Sequence, residues 1–314
     1  MRWLVLLLLY CALALAQTYP AKPVKLVTPF PPGGSADVIA RVTAQKLGER
    51  LGQAVIVENR GGAGGVVGNE YAAKQPPDGY TLLLITGAYP VQAAMLKSLP
   101  FDPLRDIAMV SLLTSYPFVV TVRADSPIRD TADLIARAKA NPGKLTYPSA
   151  GIGTVHHLSG ELFNAMAGTE LFHVPFRGGA SPLTEVLAGR VDLLFEAMTL
   201  SIGQIRAGKL RALAVTSRER WQALPEVASV NENLPGYEVM SFIGLGATGG
   251  TPPTIIDRLN GEVRRMLSDA QTRQRFADLG GEPGASSPGE MRAFVERDIA
   301  KWREVIALRK IERQ

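Results

Sequence analysis

"VTPFPPGGSADVIARVTAQKL", residues 27–47, begins as a β-branched strand, breaks at a Pro-Pro-Gly-Gly turn and continues as an amphipathic helix. Strand, tight turn and helix in that order form the unit of an α/β fold, and the turn is left at a helix N-terminus. Amide N–H groups there lack intrahelical acceptors, and the helix dipole adds partial positive charge, so the turn is suited to an anion. A nucleotide phosphate, a carboxylate and a turn that binds nothing are the readings this stretch allows by itself.

The pattern recurs. "AVIVEN" from 54, "TLLLIT" from 81, "FVVTVRA" from 118, "KLTYPSA" from 144, "ELFHVPF" from 170, "VDLLFEA" from 191 and "LRALAVTS" from 210 alternate with helical segments. Apolar runs joined through helices predict parallel sheets covered on both faces, and eight runs predict two sheets rather than one. From Thr251 onward the chain reads as helical, with a capping box in "SPGEM" formed by Ser287 and Glu290. A length of 314 residues fits about two domains.

The chain opens "MRWLVLLLLYCALALAQ": a basic Arg2, an apolar run, and small Ala14 and Ala16 at signal-peptidase spacing. This predicts export, with residues 1–16 as the signal peptide. Cys11 is the single cysteine, so the mature chain has no disulfide, thiolate metal site or cysteine nucleophile. The net charge of +5 is dispersed, without the basic run that marks a nucleic-acid or lipid surface.

Two further loops repeat the opening one. "TYPSAGIGTVHHLSGELF" places Ser149, Gly151, Gly153 and Thr154 between strand and helix, and "HVPFRGGASPLTEVLAG" places Arg177 and Gly178 likewise. Glycines let the backbone approach a ligand, and Ser and Thr hydroxyls add short donors. Such loops collect beyond the carboxyl ends of strands, so the expectation is a carboxylate gripped between helix N-termini of two domains. Asp37 reads as a cap for the opening turn, Phe30 and Tyr89 as cleft walls, and His157 as a first-turn residue bonding a loop carbonyl or the ligand.

Catalytic and cofactor motifs fail. Gly62, Gly64 and Gly68 miss the dinucleotide fingerprint, since Val67 stands where its third glycine belongs, and the P-loop lysine is missing. There is no G-x-S-x-G or H-E-x-x-H. His156 and His157 are adjacent, about 100° apart on a helix, and do not share one metal. The expectation is no enzyme, no cofactor, no metal and no nucleic-acid partner. A secreted hydrolase or isomerase using His157 with Glu196 or Asp37 is the catalytic alternative.

"VTPFPPGGSADVIAR", "VENRGGAGGVVG", "PPDGYTLL", "YPSAGIGTVHHLSGELF", "HVPFRGG", "GRVDLLF", "GKLRALAVTSRER" and "TPPTIIDRLN" occur in this order. Together they resemble the extracytoplasmic solute receptors of tripartite tricarboxylate transporters, the Bug family. The resemblance implies an α/β type II periplasmic-binding-protein fold, a Venus flytrap of two α/β domains joined by a two-strand hinge. Domain 1 would comprise 17–122 plus 238–314 and domain 2 residues 123–237, with hinges near "TVRAD" and "EVMSF". It implies a periplasmic monomer that captures a mono-, di- or tricarboxylic, amino or aromatic acid for integral membrane transporter subunits. A sensor kinase is a further partner compatible with that role. By the same resemblance the loop carrying Phe30, Pro32, Gly33, Gly34, Ser35 and Asp37 pinches the carboxylate against the loop from Ser149 to His157. Thr86, Ala88, Tyr89, Arg177 and Gly178 would shape specificity. Glu196 stands where the family commonly has Asp, so a longer acid would shorten the cavity or repel a second carboxylate.

Overall fold

The computed structural model describes residues 19–178, 180–308 and 310–313; the expected signal peptide lies outside them. In chain order the elements are β1 (Val24–Thr28), α1 (Ser35–Leu51), β2 (Val55–Asn59), α2 (Val66–Ala73), β3 (Thr81–Thr86), α3 (Ala88–Met95) and β4 (Ile107–Arg123). There follow α4 (Thr131–Ala140), β5 (Thr146–Ser149), α5 (Val155–Ala167), β6 (Phe172–Pro175), α6 (Ser181–Leu187), β7 (Leu193–Ala197), α7 (Met198–Arg206) and β8 (Leu210–Val215). The chain ends with β9 (Met240–Thr248), α8 (Pro253–Ser268), α9 (Ala270–Asp278), β10 (Glu282–Pro283) and α10 (Pro288–Leu308).

The eight apolar runs are strands, but the sheets are mixed rather than parallel. The first sheet has the order β2-β1-β3-β9-β4-β10. β1 is parallel to β2 and β3, whereas β9 runs antiparallel to both β3 and β4. β4 also carries the second sheet: Phe118 to Arg123 pair antiparallel with β7 on one side and β8 on the other. β5 and β6 form a parallel pair, joined to the residue before β7 by Asp192 N–H to Thr146 O at 3.2 Å. The partners of β4 change between Pro117 and Phe118, upstream of the "TVRAD" stretch. The second crossing runs through Val239, whose N–H donates to Thr216 O at 2.8 Å.

Both faces of the first sheet are covered, which is why its strands read as unbroken apolar runs. Val24 and Leu26 pack with Leu82 and Leu84 against Ile39, Ala44 and Leu47 of α1. Val27, Leu83 and Ile85, one residue out of phase and so on the other face, pack against Met291, Val295 and Ile299 of α10. The capping box forms as read: Glu290 N–H donates to Ser287 Oγ, and Ser287 N–H to Glu290 Oε2 at 2.7 Å.

Gly160 in α5 shows where a helix glycine is required. A Cβ there would lie 2.3 Å from the ring of Tyr147, which is fully buried and held by its hydroxyl to Glu161 at 2.6 Å. Replacing an interior helix glycine by alanine ordinarily gains up to about 1 kcal/mol. Here overpacking wins, and Gly160→Ala is expected to destabilise by roughly 2 kcal/mol in denaturant unfolding.

Candidate functional site

Four helices begin at one buried cavity. Gly34, Ser35 and Ala36 bring α1 to it, Gly87 and Ala88 bring α3, Thr154 to His156 bring α5, and Glu196 and Ala197 bring α7. These are the carboxyl ends of β1 and β3 in the first sheet, of β5 in the β5-β6 pair and of β7 in the second sheet, where ligands lie in open α/β folds. The first intrahelical bonds run from Val38 to Gly34 and from Leu158 to Thr154. The amides before them in α1 and α5 therefore have no acceptor within their own helix, and both dipoles end at the cavity.

The space these helices share is about 50 Å³ and is partly open. That is several times the roughly 10–15 Å³ that a single water needs, so the cavity admits a group of several heavy atoms. Its floor is made by Tyr116 and Phe118 of β4 with Ser241 and Ile243 of β9. Each pair consists of alternate residues on one strand face, and Tyr116 stands opposite Ser241 in the register. Phe30 and Ala150 close the space toward a vestibule of about 950 Å³ that holds Pro32, Gly64, Gly151 and Arg177.

Asp37 holds the first loop from behind. Gly33 N–H, Arg41 and Asn59 donate to its carboxylate at 3.0 to 3.1 Å, and Asn59 also reaches Phe30 O at 3.1 Å. Burial alone would raise Asp37; the bonds from Arg41, Gly33 and Asn59 outweigh it and hold the carboxyl below the usual range. Ser149 does the same in the second loop. Its Oγ accepts from Gly151 N–H at 3.1 Å and lies 2.6 Å from His173 Nε2, while Thr154 Oγ1 donates to Gly151 O at 2.6 Å.

His157 turns away from the cavity. It stacks on His173 at 4.3 Å, and Gly153 N–H points at its Nδ1 from 3.4 Å, so it braces the loop rather than bonding a carbonyl. His156 is the cavity histidine, with Nε2 2.9 Å from Glu196 Oε1 and its ring edge-on to Phe118. Tyr89, read as a cleft wall, is fully buried against Phe101, and its hydroxyl donates to Pro103 O at 2.8 Å. The residue follows Ala88 by one helix position, about 100° away, and faces the core.

Of the residues singled out in the sequence, Phe30, Gly34, Ser35, Thr86, Ala88, Thr154 and Glu196 meet at the cavity. Pro32, Gly151 and Arg177 line the vestibule. Gly33, Asp37, Ser149, Gly153 and His157 shape the two loops, and Gly178 packs under Phe30. Sequence reasoning missed Tyr116, Phe118, Ser241 and Ile243, although apolar-polar alternation on one strand face was the available signal.

The two halves touch at glycines. Cβ atoms built on Gly64 and Gly178 would lie 2.9 Å from Ile152 O and 3.1 Å from Phe30 Cδ1. Gly151 approaches the Gly64 backbone in the same place. At Gly64, whose Cβ would meet a backbone carbonyl, only bare backbone fits.

The stacked imidazoles carry a pH dependence. Burial pushes His157 down to about 4, and burial with the neighbouring His157 and His156 pushes His173 down to about 3, both from 6.5. Below 6.5 the unfolded chain takes up protons that the folded chain refuses. The contribution of the pair is thus complete above that value and lost as pH falls toward 4. At about 1.4 kcal/mol per pH unit for each histidine, the pair loses several kcal/mol by pH 4, with the smaller share from the partly exposed His173, where solvent screens the charge. Urea unfolding between pH 7 and 4.5 should show this slope, and a His157→Gln/His173→Gln double variant should flatten it.

Residues 39–311 match the family model described as tripartite tricarboxylate transporter family receptor. Protein BugT of Bordetella pertussis is 36% identical over 294 residues, covering 93% of this chain and 90% of BugT. The R. palustris protein Rpa4515, solved with adipate, superposes with a TM-score of 0.91 at 35% identity over 94% of this chain and 99% of its own. The periplasmic binding protein BugD superposes with a TM-score of 0.90 at 32% identity over 94% and 100%. The mixed α/β architecture is therefore the two-domain fold of periplasmic binding proteins, and the chain belongs to the tripartite tricarboxylate transporter receptor family, the Bug family of solute-binding receptors.

Proposed function

We propose that this chain is an exported, non-catalytic receptor whose two lobes close on a small carboxylate in the periplasm and hand it to membrane transporter subunits. The lobes would comprise residues 19–117 with 240–313, and 118–239, hinged where β4 and the segment before β9 cross. The observation that carries the reading is the convergence of N-termini from both lobes on one buried cavity, which places oriented N–H groups and two positive dipole ends around a single small volume. Adipate in Rpa4515 supports a carboxylate as the ligand class. Ser35, Ala36, Thr154 and Val155 would surround the carboxylate, and Phe30, Thr86 and Ala88 would bound its carbon chain. Arg177 in the vestibule would meet a distal anionic group.

Thermal shift of the mature chain against a panel of carboxylic acids and their matched amides tests this. At about a thousand times the dissociation constant, an acid should add roughly 4 kcal/mol and raise the midpoint by several degrees, with no shift from its amide. Equal shifts from acid and amide would refute the carboxylate grip.

A further inference from the structure

The cavity already contains one carboxylate, and it is only half used. Glu196 is 2% exposed, and its Oε1 receives Ala197 N–H at 2.8 Å and His156 Nε2 at 2.9 Å. A carboxylate only accepts, so Nε2 carries the proton in that contact and His156 Nδ1 faces away from it. No donor among the described residues reaches Glu196 Oε2, and the buried Nδ1 of His156 has no partner either. That oxygen is left to whatever donor enters the cavity that Glu196 lines. Val119 opposite Glu196 in β7 supplies no side-chain donor, and Phe118 presents ring carbon.

We propose that Glu196 is the specificity-determining residue of this site, and that its Oε2 receives a hydrogen bond from a hydroxyl or amino group on the carbon next to the ligand carboxylate. The proposal rests on the carboxylate reading above. Glu196 occupies the N-terminus of α7 itself, so the ligand anion is left to the ends of the other helices, with α1 and α5 the pair assigned to it above. The cavity is small, and Glu196 stands in it beside the ends of α1 and α5, so the donor argued for is the one nearest the ligand carboxylate, on position 2. A second carboxylate in that position would meet Glu196 charge to charge. His156 acts as a positioning residue, fixing Oε1 so that Oε2 is presented.

Titration calorimetry on the mature chain uses three sets: propanoate, lactate and alanine; succinate, malate and aspartate; adipate with its 2-hydroxy and 2-amino derivatives. Each acid is paired with its amide. A 2-hydroxy or 2-amino acid should bind at least tenfold more tightly than its unsubstituted parent, because only it satisfies Oε2. The hydroxy and amino arms identify which donor is read. Glu196→Leu should bring the members of each set within twofold of one another, and Glu196→Gln, which keeps shape and an acceptor, should retain a hydroxyl preference. Equal binding within each set by the unaltered chain overturns the proposal while leaving the carboxylate reading intact; so does a preference that survives Glu196→Leu. Binding of none of the acids, or equal binding of acids and amides, overturns the carboxylate reading and this inference with it.

Discussion

A Ser35→Glu substitution is expected to abolish ligand binding, raising Kd by two to three orders of magnitude, while leaving thermal stability unchanged or slightly higher. Residue 35 is the first of α1, half-buried at the cavity. A glutamate in a first helical turn is favourable by about 0.3–1 kcal/mol, so the fold has no reason to resist it. The new carboxylate would take the amides left for the ligand anion and repel that anion by several kcal/mol. Ser35→Gln is the control, with the same bulk and no charge. Calorimetry on both variants decides the point: equal affinities would mean that the end of α1 is not where the anion sits.

Gly64→Ala should cost at least thirtyfold in affinity for a different reason. The added Cβ would come 2.9 Å from Ile152 O on the other lobe, and backbone carbonyl cannot swing aside as a flexible side chain can. The residue also has φ of 67°, a region that charges an L-residue about 1–2 kcal/mol. Gly52→Ala separates the two effects, because it has the same φ of 67° and nothing within 4 Å of its Cβ. Both variants should lose similar stability, and only the Gly64 variant should lose affinity and scatter X-rays as a more open particle. A Gly52 variant equally impaired in binding would assign the effect to backbone strain instead of to blocked closure.

Much of the molecule was legible in its sequence because the signals are local. The turn before Ser35 and the glycines around Gly151 mark helix N-termini within a few residues of chain, and the capping box at Ser287 does the same for α10. Sheet direction was not legible. β9 inserts between β3 and β4, and the antiparallel pairing depends on partners more than a hundred residues away, which no window of sequence contains. The cavity floor was hidden for the same reason. Tyr116 and Ser241 become neighbours only through that register, and each alone reads as ordinary strand. His156 and His157 illustrate the finest limit: adjacent on one helix, one reaches Glu196 and the other a stacked imidazole, and the choice between them depends on helix phase within about 100°.

The continuous strand β4 makes the two lobes poor candidates for modular exchange. Its residues Ile107 to Pro117 are stitched to β9 in one sheet, and Phe118 to Arg123 sit between β7 and β8 as the middle strand of the other. Excising either lobe at its boundary would cut this strand between Pro117 and Phe118, so that each sheet keeps only its own half of β4 with a new chain end in the middle of the strand. Grafting a foreign second lobe onto this first one would have to preserve the shared strand's register on both sides at once, so specificity is free to change through single loop and cavity residues while the lobes travel together.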